Sequence, residues 1–286
     1  MANTIALRKQ YSTLLDEVYK LSSLTSVLDG PSELVREGAN ANEILIPKLS
    51  MQGLANYDKN SGYVSGDVTL DYETKKCAYD RGRMFNIDAM DNIESAGIAF
   101  GRLAGEFLRT QVVPELDAYR LASYAQISGV TTVSANLADG KVALAALRTA
   151  RGKIENAEAN LATCYLFIDP VLAGLIDDLD TTASKKAMEG FAGIIKVPQG
   201  RFLNKITLTA SGAGGFAKAS GALNINFMIV DKQAAIQYQK HTVSKIISPD
   251  RNQTADGWKF GYRTVGIAEC KDNKKDGIYV HTVASA

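Results

Sequence analysis

Histidine is almost missing from this chain: two in 286 residues, His241 and His281. A triad or a zinc site has very few ways to form from them. Both lie in strand-like stretches, where a structural histidine is the commoner occupant. Cysteine is scarce too. Cys77, Cys164 and Cys270 are odd in number and far apart, which excludes a disulfide framework and points to free thiols in a reducing compartment. Cys164 stands beside Leu166 and Phe167, the setting of a buried, inert thiol. A surplus of either charge is also absent, since 32 basic and 31 acidic side chains leave +1. A phosphate-gripping protein shows a basic excess or stripe, and this chain shows neither. No apolar run approaches the roughly 20 residues that cross a bilayer. The N-terminus, MANTIALRKQYSTLLDEVYK, has charges where a signal peptide needs an apolar segment. The expectation is a chain made and kept in water, with no membrane partner. Internal repeats and low-complexity tracts are lacking as well.

What remains is an ordinary soluble composition, 46% hydrophobic and 22% charged, long enough for one elaborate domain or two. Its most regular stretch runs from Asp88 to Gln126. Ile93, Ala96, Phe100, Leu103 and Phe107 recur at helical spacing, followed by Leu116, Tyr119, Ala122 and Tyr124 near the same side. Asp91 with Glu94 has capping-box spacing. The pattern predicts a long surface helix of roughly 45–50 Å, kinked or restarted at Pro114. It reads as a frame.

Before the frame, Leu7 to Ser23 has a modest amphipathic face, and Asp29-Gly30-Pro31 ends it. Glu43 to Leu49 reads as a strand that Pro47 confines to an edge or an end. The turn-rich run from Ser50 then gives way to alternation, with Val68, Leu70 and Tyr72 on one side. Lys75-Lys76 and a second alternating run (Met84, Phe85, Ile87) follow. Together these predict a long two-stranded arm. Such a hairpin is too polar at its tip to own a core, so it lies on something else, a neighbouring copy or its own sheet. After the frame come a loop (Ile127 to Asn136), an Ala-rich helix (Asp139 to Ala159), a buried strand (Cys164 to Ile168) and a helix (Val171 to Leu179). Strands follow at Ile194–Val197, Ile206–Leu208 and Ile225–Val230. The pair Gln237–Ile247 and Trp258–Ile267 flanks SPDRNQTADG, and GIYVHTV closes the chain. The alternation marks a compact α/β region distinct from the frame.

Chemical signals are few. Gly212 to Ala217 matches G-x-G-x-x-A after a strand, but a dinucleotide site needs a helix to begin there, and a new strand follows instead. Lys218 lacks the adjacent glycine of a phosphate-binding loop. Asp177-Asp178, and Asp88 with Asp91, read as a solvated face and a helix start. No catalytic, cofactor-binding or metal-ligating set is expected.

The order of several pieces carries a resemblance. IPKLSMQGL, YDKNSGYVSGDVTLDYET, YDRGRMFNIDAMDNIE and EFLRTQVVPELDAYR, with the closing run ADGWKFGYRTVGIAECKDNKKDGIYVHTV, resemble the major capsid proteins of tailed double-stranded DNA bacteriophages. The resemblance covers nearly the whole chain from Tyr11 onward and implies an α+β chain with the Hong Kong 97 fold. In its terms, 1–30 would be an N-terminal arm and 31–49 a strand of the peripheral domain. The extended loop (E-loop) would be 50–80, and 81–135 the peripheral domain with its spine helix. An axial α/β domain would span 136–235, with 236–267 returning to peripheral strands and a threefold loop, and 268–286 adding a last axial strand. The family implies a homo-oligomer of pentamers and hexamers closing an icosahedral shell around packaged DNA without sequence-specific binding. It also implies a portal and, since no N-terminal scaffolding domain is visible, a separate scaffolding protein. The chain would reside in the virion, after assembly in the host cytoplasm. Inter-subunit contacts would fall on Tyr57, Lys59, Tyr63, Tyr72, Asp80, Arg81, Arg251 and Asn252. Some relatives weld subunits through a lysine and an asparagine placed as Lys59 and Asn252 are, but no catalytic glutamate is identifiable, so no weld is expected. An encapsulin-type shell around an enzyme cargo is the alternative within assembly proteins. A nucleotide-binding α/β enzyme using the glycine-rich loop is the alternative from another class.

Overall fold

The computed structural model of the chain describes residues 23–30, 36–37, 43–60, 62–90, 98–210, 212 and 214–285. The expected N-terminal helix, except its last residue, and the Asp91–Glu94 capping box lie outside these. In chain order the first strands are β1 (Arg36–Glu37), β2 (Glu43–Met51), β3 (Val68–Lys76) and β4 (Tyr79–Asp88). A continuous helical run then comprises α1 (Ile98–Phe107), a π-helical turn (Leu108–Val112) and α2 (Val113–Gln126). Next come β5 (Thr131–Ser134), α3 (Gly140–Asn156), β6 (Cys164–Ile168), α4 (Pro170–Asp177), α5 (Thr182–Met188) and β7 (Gly193–Lys196). The chain continues through β8 (Ile206–Leu208), β9 (Phe216–Lys218) and β10 (Ile225–Asp231). It ends on the long pair β11 (Ala235–Ile247) and β12 (Gly257–Cys270), then β13 (Ile278–Thr282).

The α/β region is built on a five-stranded sheet in the order β5-β13-β10-β6-β7. Its central strand reads INFMIVD, the near-continuous apolar run of a strand covered on both faces. Phe227 and Ile229 turn to one face with Leu166, Ile168 and Tyr279, where α3, α4 and α5 pack. Met228 and Val230 turn to the other with Phe167 and Val280, where Leu121 and Tyr124 of α2 close the core. This is the two-residue period of a strand expressed as two separate cores. The stretch from Ile127 to Asn136, expected as loop throughout, contains β5, which lies parallel to β13 at the sheet edge. Four residues are too short for periodicity to register.

The second sheet, order β11-β12-β4, is antiparallel and long. Phe260 and Tyr262 of β12 face α1 and the π-turn, meeting Ala104, Leu108 and Val112. Val265 and Ile267 face the other way, against Ile44, Ile46, Cys77 and Ile236. The third sheet, β1-β2-β3, is the arm. Here the structure corrects the expected pairing. β3 pairs with β2 from Glu43↔Lys76 to Met51↔Val68, whereas the run 84–87 belongs to β4 and pairs with β12. Buried Cys77 and Tyr79 mark where the chain leaves one sheet for the other. Pro47 lies within β2, opposite Tyr72, where among the described residues β2 has β3 as its one partner.

The frame helix spans residues 98–126, about 43 Å at the usual rise. Its fault lies just before Pro114, where the Val113 N–H reaches back to the Leu108 carbonyl. A regular helix would press the proline ring on the carbonyl of Thr110 and leave that carbonyl without a donor. The widened turn relieves the crowding. Thr110 Oγ1 donates to the Glu106 carbonyl at 2.7 Å. The expected surface helix differs in its second half, for α2 is buried on nearly every side, Glu115, Asp117 and Arg120 included.

Asp117 and Arg120 belong to one buried network. Asp117 Oδ1 accepts from Ser23 Oγ at 2.7 Å, Thr25 Oγ1 at 2.6 Å and the Thr25 N–H at 3.2 Å. Its Oδ2 accepts from the Leu24 N–H at 3.0 Å and faces Arg201 Nη1 at 3.6 Å. Arg120 donates to Thr25 Oγ1 and pairs with Asp29 at 3.2 Å. Gln237 of β11 donates to the Thr25 carbonyl and Asp29, and accepts from Tyr124.

His281 of β13 is buried, stacked on Phe227 at 4.9 Å, and accepts at Nδ1 from the Asn226 amide at 3.1 Å. Burial holds its imidazole below the ordinary 6.5, so the unfolded chain binds more protons there than the folded one. This contribution to stability is whole above the ordinary value and is lost as pH falls below it.

Three outcomes follow. Asp117→Ala leaves the buried Ser23 and Thr25 hydroxyls and the Leu24 N–H without their acceptor and should cost about 1–3 kcal/mol in denaturant unfolding. Gly140→Ala places a Cβ 2.1 Å from the Leu175 carbonyl, where α3 crosses α4. It should cost about 1–3 kcal/mol, read as a lowered melting temperature. His281→Gln should narrow the gap between melting temperatures taken at about pH 7 and about pH 5.

Candidate assembly surfaces

The arm is the least self-sufficient part of the chain. Nine of the fifteen exposed large apolar side chains among the described residues fall between Leu49 and Tyr72. At the tip, Asp58 and Gly62 bridge, with Gly62 at φ 81°, and the Asn60 N–H bonds Asp58 Oδ1. This turn brings Tyr57 and Tyr63 edge to face at 5.0 Å, yet they stay 59% and 91% exposed. Lys59 is exposed on the same turn. Tyr72 stands 40% exposed on β3.

The other expected contact residues lie elsewhere. Asp80 and Arg81 are neighbours on β4 and point to opposite faces. Asp80 pairs with Arg263 at 2.6 Å on the face that carries the arm's root. Arg81 donates through Nε and Nη2 to the two oxygens of buried Glu115, at 2.7 and 3.2 Å. Tyr79 OH donates to the same carboxylate at 3.0 Å, and burial beside it pushes the phenol up. Arg251 is exposed on a short 3₁₀ turn between β11 and β12. Asn252 next to it is committed to its own loop. Its Nδ2 donates to the Gly257 carbonyl at 2.8 Å, and its Oδ1 accepts from Thr254 N–H and Oγ1. The structure thus groups these residues as an arm tip, a sheet edge and a hairpin loop, and does not bring them into one site.

The glycine-rich motif is the turn of the β8–β9 hairpin, with Thr209 N–H bonded to the Gly215 carbonyl and no helix beginning there. A pyrophosphate cradle of the dinucleotide kind is therefore not formed. Gly212, Gly214 and Gly215 all adopt positive φ, the conformation that glycine takes without strain. Arg83 donates to the Gly212 carbonyl and Arg81 to that of Gly215. The thiols offer no chemistry either: Cys77, Cys164 and Cys270 are free and buried, and burial pushes Cys164 up to about 12 and Cys270 to about 11.

Under this hairpin lies a feature that the sequence reading missed. A cleft of about 660 Å³ opens between β4, the π-turn and the hairpin. Phe85, Leu103, Phe107 and Tyr262 form its floor, and Arg83, Glu106, Thr110, Gln111 and Gly214 lie around them. Phe107 packs on Phe85 at 4.8 Å and Tyr262 at 6.2 Å. The signal available in the sequence is the alternation Tyr79, Arg81, Arg83, Phe85, of which the expected arm included only Phe85, with Met84 and Ile87.

No helix among the described residues is long and apolar enough to cross a membrane. No protein-family model matches the sequence, and no curated protein matches it. Solved structures do match. A chain of Gordonia phage Cozz aligns at TM-score 0.59 and 14% identity, over 93% of this chain and 87% of that one. The capsid structure of the cyanophage P-SCSP1u aligns at 0.58 and 12%, over 88% and 86%. A virus-like particle from Pyrococcus furiosus aligns at 0.57 and 15%, over 96% and 99%. With its frame helix, long antiparallel sheet, α/β unit and projecting arm, the chain has the Hong Kong 97 fold of tailed-phage capsid proteins.

Proposed function

We propose that the chain is a structural coat protein whose copies close into the icosahedral head shell of a tailed bacteriophage around packaged double-stranded DNA. The observation that carries this is the arm, a ribbon of exposed apolar side chains attached to a well-packed body. Apolar surface of that extent on a monomer marks an interaction site. Contacts between arm and neighbour are heterologous, and such contacts close only by rotation into rings. Pentamers and hexamers would form around the α/β unit, with residues 136–235 at the axes. The hairpin loop with Arg251 and Asn252 would meet its copies at the threefold, and the arm would cross the next subunit. The near-neutral charge suits a wall that a genome must slide along, since basic linings hold DNA by counterion release. A portal and a separate scaffolding protein complete this assembly, which would take place in the host cytoplasm before the virion leaves. A welded Lys59–Asn252 pair is not part of the proposal, because the Asn252 amide is already engaged. The role is structural, not catalytic. A cargo-enclosing compartment is the second reading, favoured by the match over 96% of this chain to the Pyrococcus particle.

Electron microscopy of the purified protein should show closed shells or capsomers. Small particles that bind a nucleotide saturably would overturn the proposal, and a co-purifying enzyme inside the shells would select the second reading. Replacing residues 53–66 with a short Gly-Ser turn should leave the melting temperature near that of the parent and abolish the shells.

A further inference from the structure

The cleft and the arm tip complement one another, and the topology says that they belong to different copies. The arm's root packs through Ile44 and Ile46 on Val265 and Ile267 of β12. The cleft floor uses Tyr262, from the alternate set of β12 residues that faces the frame helix. Root and cleft therefore lie on opposite faces of one sheet, and an arm leaving one face is led away from the other. The cleft volume falls within the roughly 300–1,000 Å³ of sites that enclose whole ligands. Its aromatic floor and polar surround match an occupant with a flat apolar body and a hydroxyl at its end.

We propose that the Tyr57–Tyr63 pair of a second copy seats in this cleft, beneath the glycine-rich hairpin. The inference rests on the assembly reading above and names the surface that receives the arm. The rings stack on Phe85 and Phe107, while the phenol hydroxyls bond the surrounding Thr110 and Gln111. Tyrosine suits the task because it buries a large area while only two side-chain torsions are fixed. The pair is already packed in the free chain, so docking orders little more. Arg81 and Arg83 have the further part of holding the hairpin over the seat through its backbone carbonyls.

The test is a disulfide between copies. Asn60→Cys places a thiol on the exposed tip turn with both tyrosines kept, and Gln111→Cys places one beside the cleft. The native thiols are buried and stay out of the reaction. Shells co-assembled from the two variants and oxidised should give linked dimers on a non-reducing gel, and shells of either variant alone should not. Mixed shells that form, by electron microscopy, without linked dimers would overturn this inference and leave the assembly reading intact. Equal dimers from Asn60→Cys alone would do the same, because the tips would then meet each other. A failure of parent and variants alike to form any particle would remove both. As a second measure, Tyr57→Ala with Tyr63→Ala should leave the thermal melt unchanged and abolish the shells. Shells as abundant as the parent's would overturn the seat.

Discussion

Asp117 has no access to water, and the arrangement of the body follows from how its charge is met. Ser23, Leu24 and Thr25 supply its donors from the chain's early segment, and Arg201 approaches from beyond the five-stranded sheet. One turn further along α2, Arg120 and Tyr124 continue the network to Asp29 and to Gln237 of β11. Three parts of the chain remote in sequence are thereby fixed to one helix. A buried ion pair adds little net stability over an apolar substitute, but it penalises every arrangement that leaves one member unpaired. The specificity of domain placement therefore resides here. The apolar cores on either side would tolerate other packings.

The long antiparallel sheet divides the molecule's two outward tasks. One face holds the arm's root, and the other lies under the frame helix and contributes to the cleft. A chain that offers an apolar ribbon from one side and an aromatic hollow on the other has the polarity of a link. In the proposed assembly, copies of such a link join head to tail, and the end point is a ring where the rotation closes.

Much of this was legible in the residues. The apolar run of β10 and the helical period of α3 are strong signals, and each element lies where its period placed it. Pro114 announced a fault in the frame helix, though not its π form. The arm's existence could be read from its polar tip, but its partner strand was misassigned. Alternation fixes which face a side chain takes; it does not say which strand lies alongside. β5 was hidden for want of length. The network around Asp117 was hidden for another reason: aspartate and arginine on a helix read as solvated until something covers them. The cleft is a property of three distant segments, and only the alternation along β4 hinted at it.

On the β3 side the arm joins the body through two residues, Cys77 and Ala78. Nine paired residues beyond it make a lever of about 30 Å. A swing of about 6° at that junction carries the far end about 3 Å, on the scale of a hydrogen bond. Sheets packed on helices cannot flex by such an amount without cost, whereas a narrow joint concentrates the bend in one place. A single sequence can in this way meet partners set at unequal tilts, the difference being absorbed at the wrist.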